Sequence, residues 1–125
     1  MKEYTGVIIE ESLKNNKVLK DIKIIKTDIE RITKEHETPW LKQWTLHMVT
    51  IPEDKAKEIA KKISKSFDKE HDWYADFKND TMHYIIFKNK VFHIKRTKEE
   101  YKKVKAYGIS AGIADYQLDF SPQAK

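Results

Sequence analysis

The chain of 125 residues contains no cysteine, which removes disulfides, thiolate metal sites and cysteine nucleophiles at once. It also lacks any run near the ~20 consecutive apolar residues that a membrane helix needs. Met1 to Leu13 has no basic start followed by a long apolar stretch, so the expectation is an intracellular, cytoplasmic protein with no membrane partner. Histidine occurs at His36, His47, His71, His83 and His93, with no His-Glu-x-x-His spacing. No metal and no cofactor can therefore be read from the pattern. Internal repeats, low-complexity segments and linkers are absent as well.

What is present is enough for one core. Apolar residues make up 39% of the chain, and Trp, Tyr, Phe and Ile are spread along it, unlike the composition of a disordered chain. The reading is a single α+β domain over residues 1–120 with a frayed tail at 121–125. Charge is high, at 36%, yet 25 basic residues face 20 acidic ones and the signs interleave. This describes a solvated surface more than a nucleic-acid footprint. The local exception runs from Lys88 to Lys105, where eight basic residues meet only Glu99 and Glu100.

Along the chain, Tyr4 to Ile9 reads as a strand and Leu13 to Lys17 as a turn or short helical excursion. Between Val18 and Ile32 the spacing of Ile22, Ile25, Ile29 and Ile32 fits a helix, while the density of isoleucine and threonine favours a strand. His36 to Leu41 reads as a loop, with Trp40 as an anchor or partner contact. Trp44 to Val49 alternates as a strand. Thr50 and Glu53 have capping-box spacing ahead of a helix that places Ala56, Ile59, Ala60, Ile63 and Phe67 on one stripe. Thr97 and Glu100 repeat the spacing ahead of a second helix ending near Gly112, and Tyr116 to Phe120 suggests a last strand. The expected class is an antiparallel sheet of about five to six strands with two helices. Strand, helix and paired strands from Trp44 to Phe87 resemble half of a ferredoxin-like fold in element order.

Asp72 to Phe77, Met82 to Phe87 and Val91 to Arg96 form an expected meander. Two-residue turns at Asn79-Asp80 and Asn89-Lys90 would set Phe77 opposite Met82, Tyr74 opposite Ile85, Phe87 opposite Phe92 and Ile85 opposite Ile94. One face then carries Tyr74, Ile85, Phe87, Phe92 and Ile94, with Asp76, His83 and Arg96 as a polar row at its end. The other carries Trp73, Ala75, Phe77, Met82, Tyr84, Ile86, Val91, His93 and Lys95. Both faces are apolar, so either both are covered or one lines a groove. In the groove case Trp73, Tyr84, His93 and Lys95 would suit a planar or anionic ligand. Asp76, His83 and Arg96 would make either an acid-base cluster or a structural network.

Gly108-Ile109-Ser110-Ala111-Gly112 matches the pattern of a nucleophile elbow. Its flank looks helical and no histidine follows Ser110, so a helix end is the better reading. Trp44-Thr45-Leu46-His47, Trp73-Tyr74-Ala75-Asp76-Phe77 and Tyr116-Gln117-Leu118-Asp119-Phe120 together resemble a family of small uncharacterised prokaryotic proteins. That resemblance implies no activity and carries no site residues. Three functions remain: a non-catalytic module binding a protein or small ligand; a single-stranded nucleic-acid binder using the 88–105 run; and a small enzyme with a histidine and an acidic residue as acid and base.

Overall fold

The computed structural model describes residues 3–31, 43–68, 73–113 and 118. Six strands form one antiparallel sheet: β1 (Glu3–Ile9), β2 (Lys23–Arg31), β3 (Gln43–Pro52), β4 (Tyr74–Lys78), β5 (Met82–Phe87) and β6 (Lys90–Lys95), in the order β2-β3-β1-β4-β5-β6. Two helices accompany it, α1 (Ala56–Ser66) and α2 (Lys98–Ser110). The expected α+β class, strand number and helix number all hold. Because β3 and β4 each run antiparallel to β1, they are parallel to one another with β1 between them. The result is a split β-α-β unit around α1.

The apolar stripe of α1 explains how it lies on the sheet. Ala56, Ile59, Ala60 and Ile63 are buried against Tyr4, Ile8, Val49, Ile51, Phe77, Tyr84 and Ile86. Each isoleucine taken fully out of water there contributes roughly 1.5–3 kcal/mol. On the opposite face α2 covers only the β5-β6 end, where Tyr101, Val104, Ile113 and Leu118 pack with Ile85, Phe87 and Ile94. Both faces of the meander are therefore covered.

The meander register differs from expectation by two residues in each hairpin. Phe77 pairs with Tyr84 and Tyr74 with Phe87, while Ile85 pairs with Phe92 and Phe87 with Lys90. The first turn is Asp80-Thr81 rather than Asn79-Asp80: the Asn79 N–H donates to the Met82 carbonyl at 3.0 Å, and the Asn79 side chain accepts from the backbone N–H groups of Thr81 and Met82, at 3.0 and 2.8 Å. The second turn is Lys88-Asn89, with Asn89 at φ 60, a left-handed conformation that asparagine tolerates. A slip of two keeps every side chain on its face, so the face assignment stands. Phe87 and Phe92 remain diagonal neighbours, ring centroids 5.9 Å apart.

Two local expectations change. Asn16–Asp21 is a 3-10 helix, so only the second part of the 18–32 segment is strand. Thr50 opens no helix. It lies within β3 opposite Thr5, a 3-10 turn at Glu53–Lys55 precedes α1, and α1 has no side-chain cap at Lys55. Strand pairing thus overrides the capping spacing. Thr97 does cap α2, accepting from the Glu100 N–H at 3.4 Å. The Gly-x-Ser-x-Gly run is the end of α2, with the Ser110 hydroxyl donating to the Tyr107 carbonyl at 2.6 Å and Gly112 at φ 100. The expected loop at 36–41, the Tyr116–Phe120 strand and the tail fall outside the described residues, Leu118 excepted.

Candidate functional site

The polar row predicted at one end of the meander is assembled. The His83 imidazole is 0% exposed. Its Nε2 lies 2.6 Å from Asp76 Oδ2 and its Nδ1 3.0 Å from the Tyr101 hydroxyl. Arg96 Nε donates to the same hydroxyl oxygen at 3.3 Å, and Arg96 Nη1 to the Asn79 carbonyl at 3.1 Å. A carboxylate only accepts, so Nε2 carries a proton; with the imidazole neutral, Nδ1 accepts from Tyr101 and the phenol oxygen accepts from Arg96. Donors and acceptors run in one direction from Arg96 to Asp76. Tyr101 is the member that sequence reasoning missed as a site residue. Its signal was its place on the inner side of α2, four residues after the Thr97 cap. An imidazole with no exposed surface cannot exchange protons with a substrate directly, so this network ties α2 to the sheet.

The other predicted group is divided. Trp73 and Tyr84 are 7% and 5% exposed beneath α1. Trp73 lies four residues along β4 from Phe77, the partner of Tyr84, a separation of about 13 Å. Trp73 instead meets Trp44 edge-on, with centroids 5.8 Å apart. The His93 ring stacks flat on Tyr84 at 4.0 Å and its Nε2 lies 3.4 Å from the Tyr4 hydroxyl. Lys95 is exposed on the edge strand β6.

The Tyr4, Tyr84 and His93 cluster titrates with the fold. Burial raises the Tyr4 phenol above the ordinary tyrosine value, with Tyr84 and Glu53 adding to it; burial and Glu53 do the same at Tyr84. The unfolded chain then releases these protons first, so their stabilisation is complete below pH ~10 and lost as pH rises above it. Denaturation across that range should show a falling midpoint, and Tyr84→Phe should make the fall shallower. His93 is shifted down, first by burial and then by Lys57. Its contribution is present above pH ~6.5 and is lost as pH falls.

Two features were not anticipated. At the β2-β3 end, Glu10 Oε1 lies 2.9 Å from His47 Nε2, and Thr27 Oγ1 lies 2.9 Å from His47 Nδ1. Glu11 accepts from both the N–H and the hydroxyl of Thr45, at 2.6 and 2.7 Å. These bonds fasten β2 and β3 to the turn after β1. Beyond them, all nine residues of β2 are exposed, including Ile25 at 54% and Ile29 at 65%. Among the described residues β2 has no neighbour on its outer side. A strand with three isoleucines, Ile24, Ile25 and Ile29, ordinarily signals burial, and for that reason the exposure was not legible beforehand.

Among the described residues no group of histidine and acidic side chains is arranged to hold a metal, and no helix is long and apolar enough to cross a membrane. No family model, no curated protein and no solved structure matches the chain, so its function is argued from its own residues.

Proposed function

We propose that the protein is a non-catalytic interaction module that takes a strand of a protein partner along the outer edge of β2. The observation carrying this reading is a nine-residue edge strand exposed at every position and bearing three isoleucines. Among the described residues no strand pairs with this outer edge, and the backbone of such an edge accepts a second strand whose side chains meet the exposed isoleucines. The β2 backbone is held for the purpose by its eight-pair ladder to β3 and by the Thr27–His47–Glu10 hydrogen bonds.

The enzyme reading is weaker because His83 has no accessible surface and His47 spends both ring nitrogens on Thr27 and Glu10. The single-stranded nucleic-acid reading has exposed lysines at Lys90, Lys95, Lys98, Lys102 and Lys103, yet Tyr84 and Phe87 beside them are buried under helices rather than open for stacking. Photo-cross-linking in cells from position 29 tests the proposal, with position 95 on the opposite edge as control. Cross-links from 29 to one contiguous protein segment are expected.

A further inference from the structure

The charges along β2 select one partner strand among those the edge would otherwise accept. Resting on the docking role of β2, we propose that the strand it takes is β2 of a second copy of this chain, paired antiparallel about a two-fold axis through Thr27. Thr27 and Ile29 pair with His47 and Thr45 and lie on the α1 side of the sheet, whereas Lys26 and Asp28 pair with Met48 and Leu46 and lie on the other. The ladder shifts between Ile24 and Lys26, leaving Ile25 as the extra residue of a bulge. As the neighbour of Lys26 it falls on the side of Thr27 and Ile29.

A two-fold axis perpendicular to the sheet keeps each side chain on its own face, so only registers that place one residue opposite its own copy are allowed. Few such registers exist on β2, and their charges differ. Centring on Lys26 sets two lysines opposite each other, and centring on Asp28 sets two aspartates opposite each other. Centring on Ile29 sets Asp28 against Glu30. Centring on Thr27 alone sets Lys26 against Asp28 twice, Ile25 against Ile29 twice, and Thr27 against itself, which are three favourable kinds of cross-strand pair. Beyond the bulge Lys23 and Arg31 do not share a face, since Lys23 pairs with Thr50 on one side of β3 and Arg31 with Gln43 on the other, so no like-charge pair forms in this register. Lys26 and Asp28 already sit within ion-pair reach on their own strand, Nζ to Oδ2 3.5 Å, with side chains 63% and 52% exposed. Each is thus positioned to take the opposite charge of the copy without a change of backbone. Pairing this way joins two six-stranded sheets into one and covers Ile25 and Ile29, the most exposed isoleucines among the described residues.

Sedimentation of the purified 125-residue chain tests the pairing. The expected mass rises with concentration from 14.9 kDa toward twice that value. Asp28→Lys sets lysine against Lys26 of the copy and should halve the high-concentration mass, as should Lys26→Asp. The doubly exchanged chain, Lys26→Asp with Asp28→Lys, restores the opposite pairs and should restore the doubled mass. Both positions are exposed, so thermal unfolding of the diluted chain should stay near wild type and exclude misfolding. A wild type that stays monomeric at every concentration overturns the pairing. So does an Asp28→Lys chain that still doubles, or an exchanged chain that does not recover. If the purified chain is monomeric while position 29 still cross-links to a different protein, self-pairing fails and the β2 docking role stands; if neither association is seen, both fail.

Discussion

Gly6→Ala is expected to destabilise the protein by about 3 kcal/mol, the scale of a severe overpacking substitution. Gly6 sits at the centre of β1, where β3 and β4 pair on either side, opposite Val49 and Phe77. A Cβ there would overlap the Asp76 carbonyl oxygen and come within 2.8 Å of Phe77 Cα. Backbone atoms of a central ladder cannot rotate aside, so β1 and β4 must separate. Gly108→Ala is the natural comparison. Its Cβ would meet Leu118 methyl carbons, also at 2.8 Å, but these end a side chain that can shift, and a loss of about 1 kcal/mol is expected. Equilibrium denaturation of the two variants separates backbone from side-chain obstruction.

His83→Ala should have a comparable effect, about 3–4 kcal/mol, for three reasons acting together. It leaves a cavity beneath α2, removes the donor that Asp76 receives, and removes the acceptor of the Tyr101 hydroxyl. Tyr101→Phe keeps the ring packed edge-on against His83 and loses only the hydroxyl, so roughly 1–2 kcal/mol is expected. Because the two residues share one network, the double variant should cost less than the sum, with a coupling near 1 kcal/mol in denaturation. Additive losses would mean that the imidazole and the phenol stabilise the fold independently.

The faces of the meander were legible because side-chain alternation follows from local sequence, and an error of two residues in pairing leaves it unchanged. The register itself was not, because it depended on the Asn79 side chain bonding Thr81 and Met82 and so placing the turn one residue later, at Asp80-Thr81. The α1 stripe and the Thr97 cap were local signals that packing left intact. The Thr50 spacing was an equally good local signal, lost because β3 gains more by pairing through Pro52 with Glu3. Asp76, His83 and Arg96 were correctly placed on one face, yet their connection runs through Tyr101 from an element distant in sequence. The character of β2 was the least legible. Ile24, Ile25 and Ile29 have the composition of a core strand, and only the sheet order places them at an edge.

Cross-linking from position 29 decides most directly whether β2 is a docking edge. With a photoreactive residue in place of Ile29, covalent capture should map to one short extended segment, the copy's own residues near Ile25 if the chain pairs with itself, while position 95 on β6 captures no such segment. Equal, scattered labelling from both positions would contradict a docking role for β2.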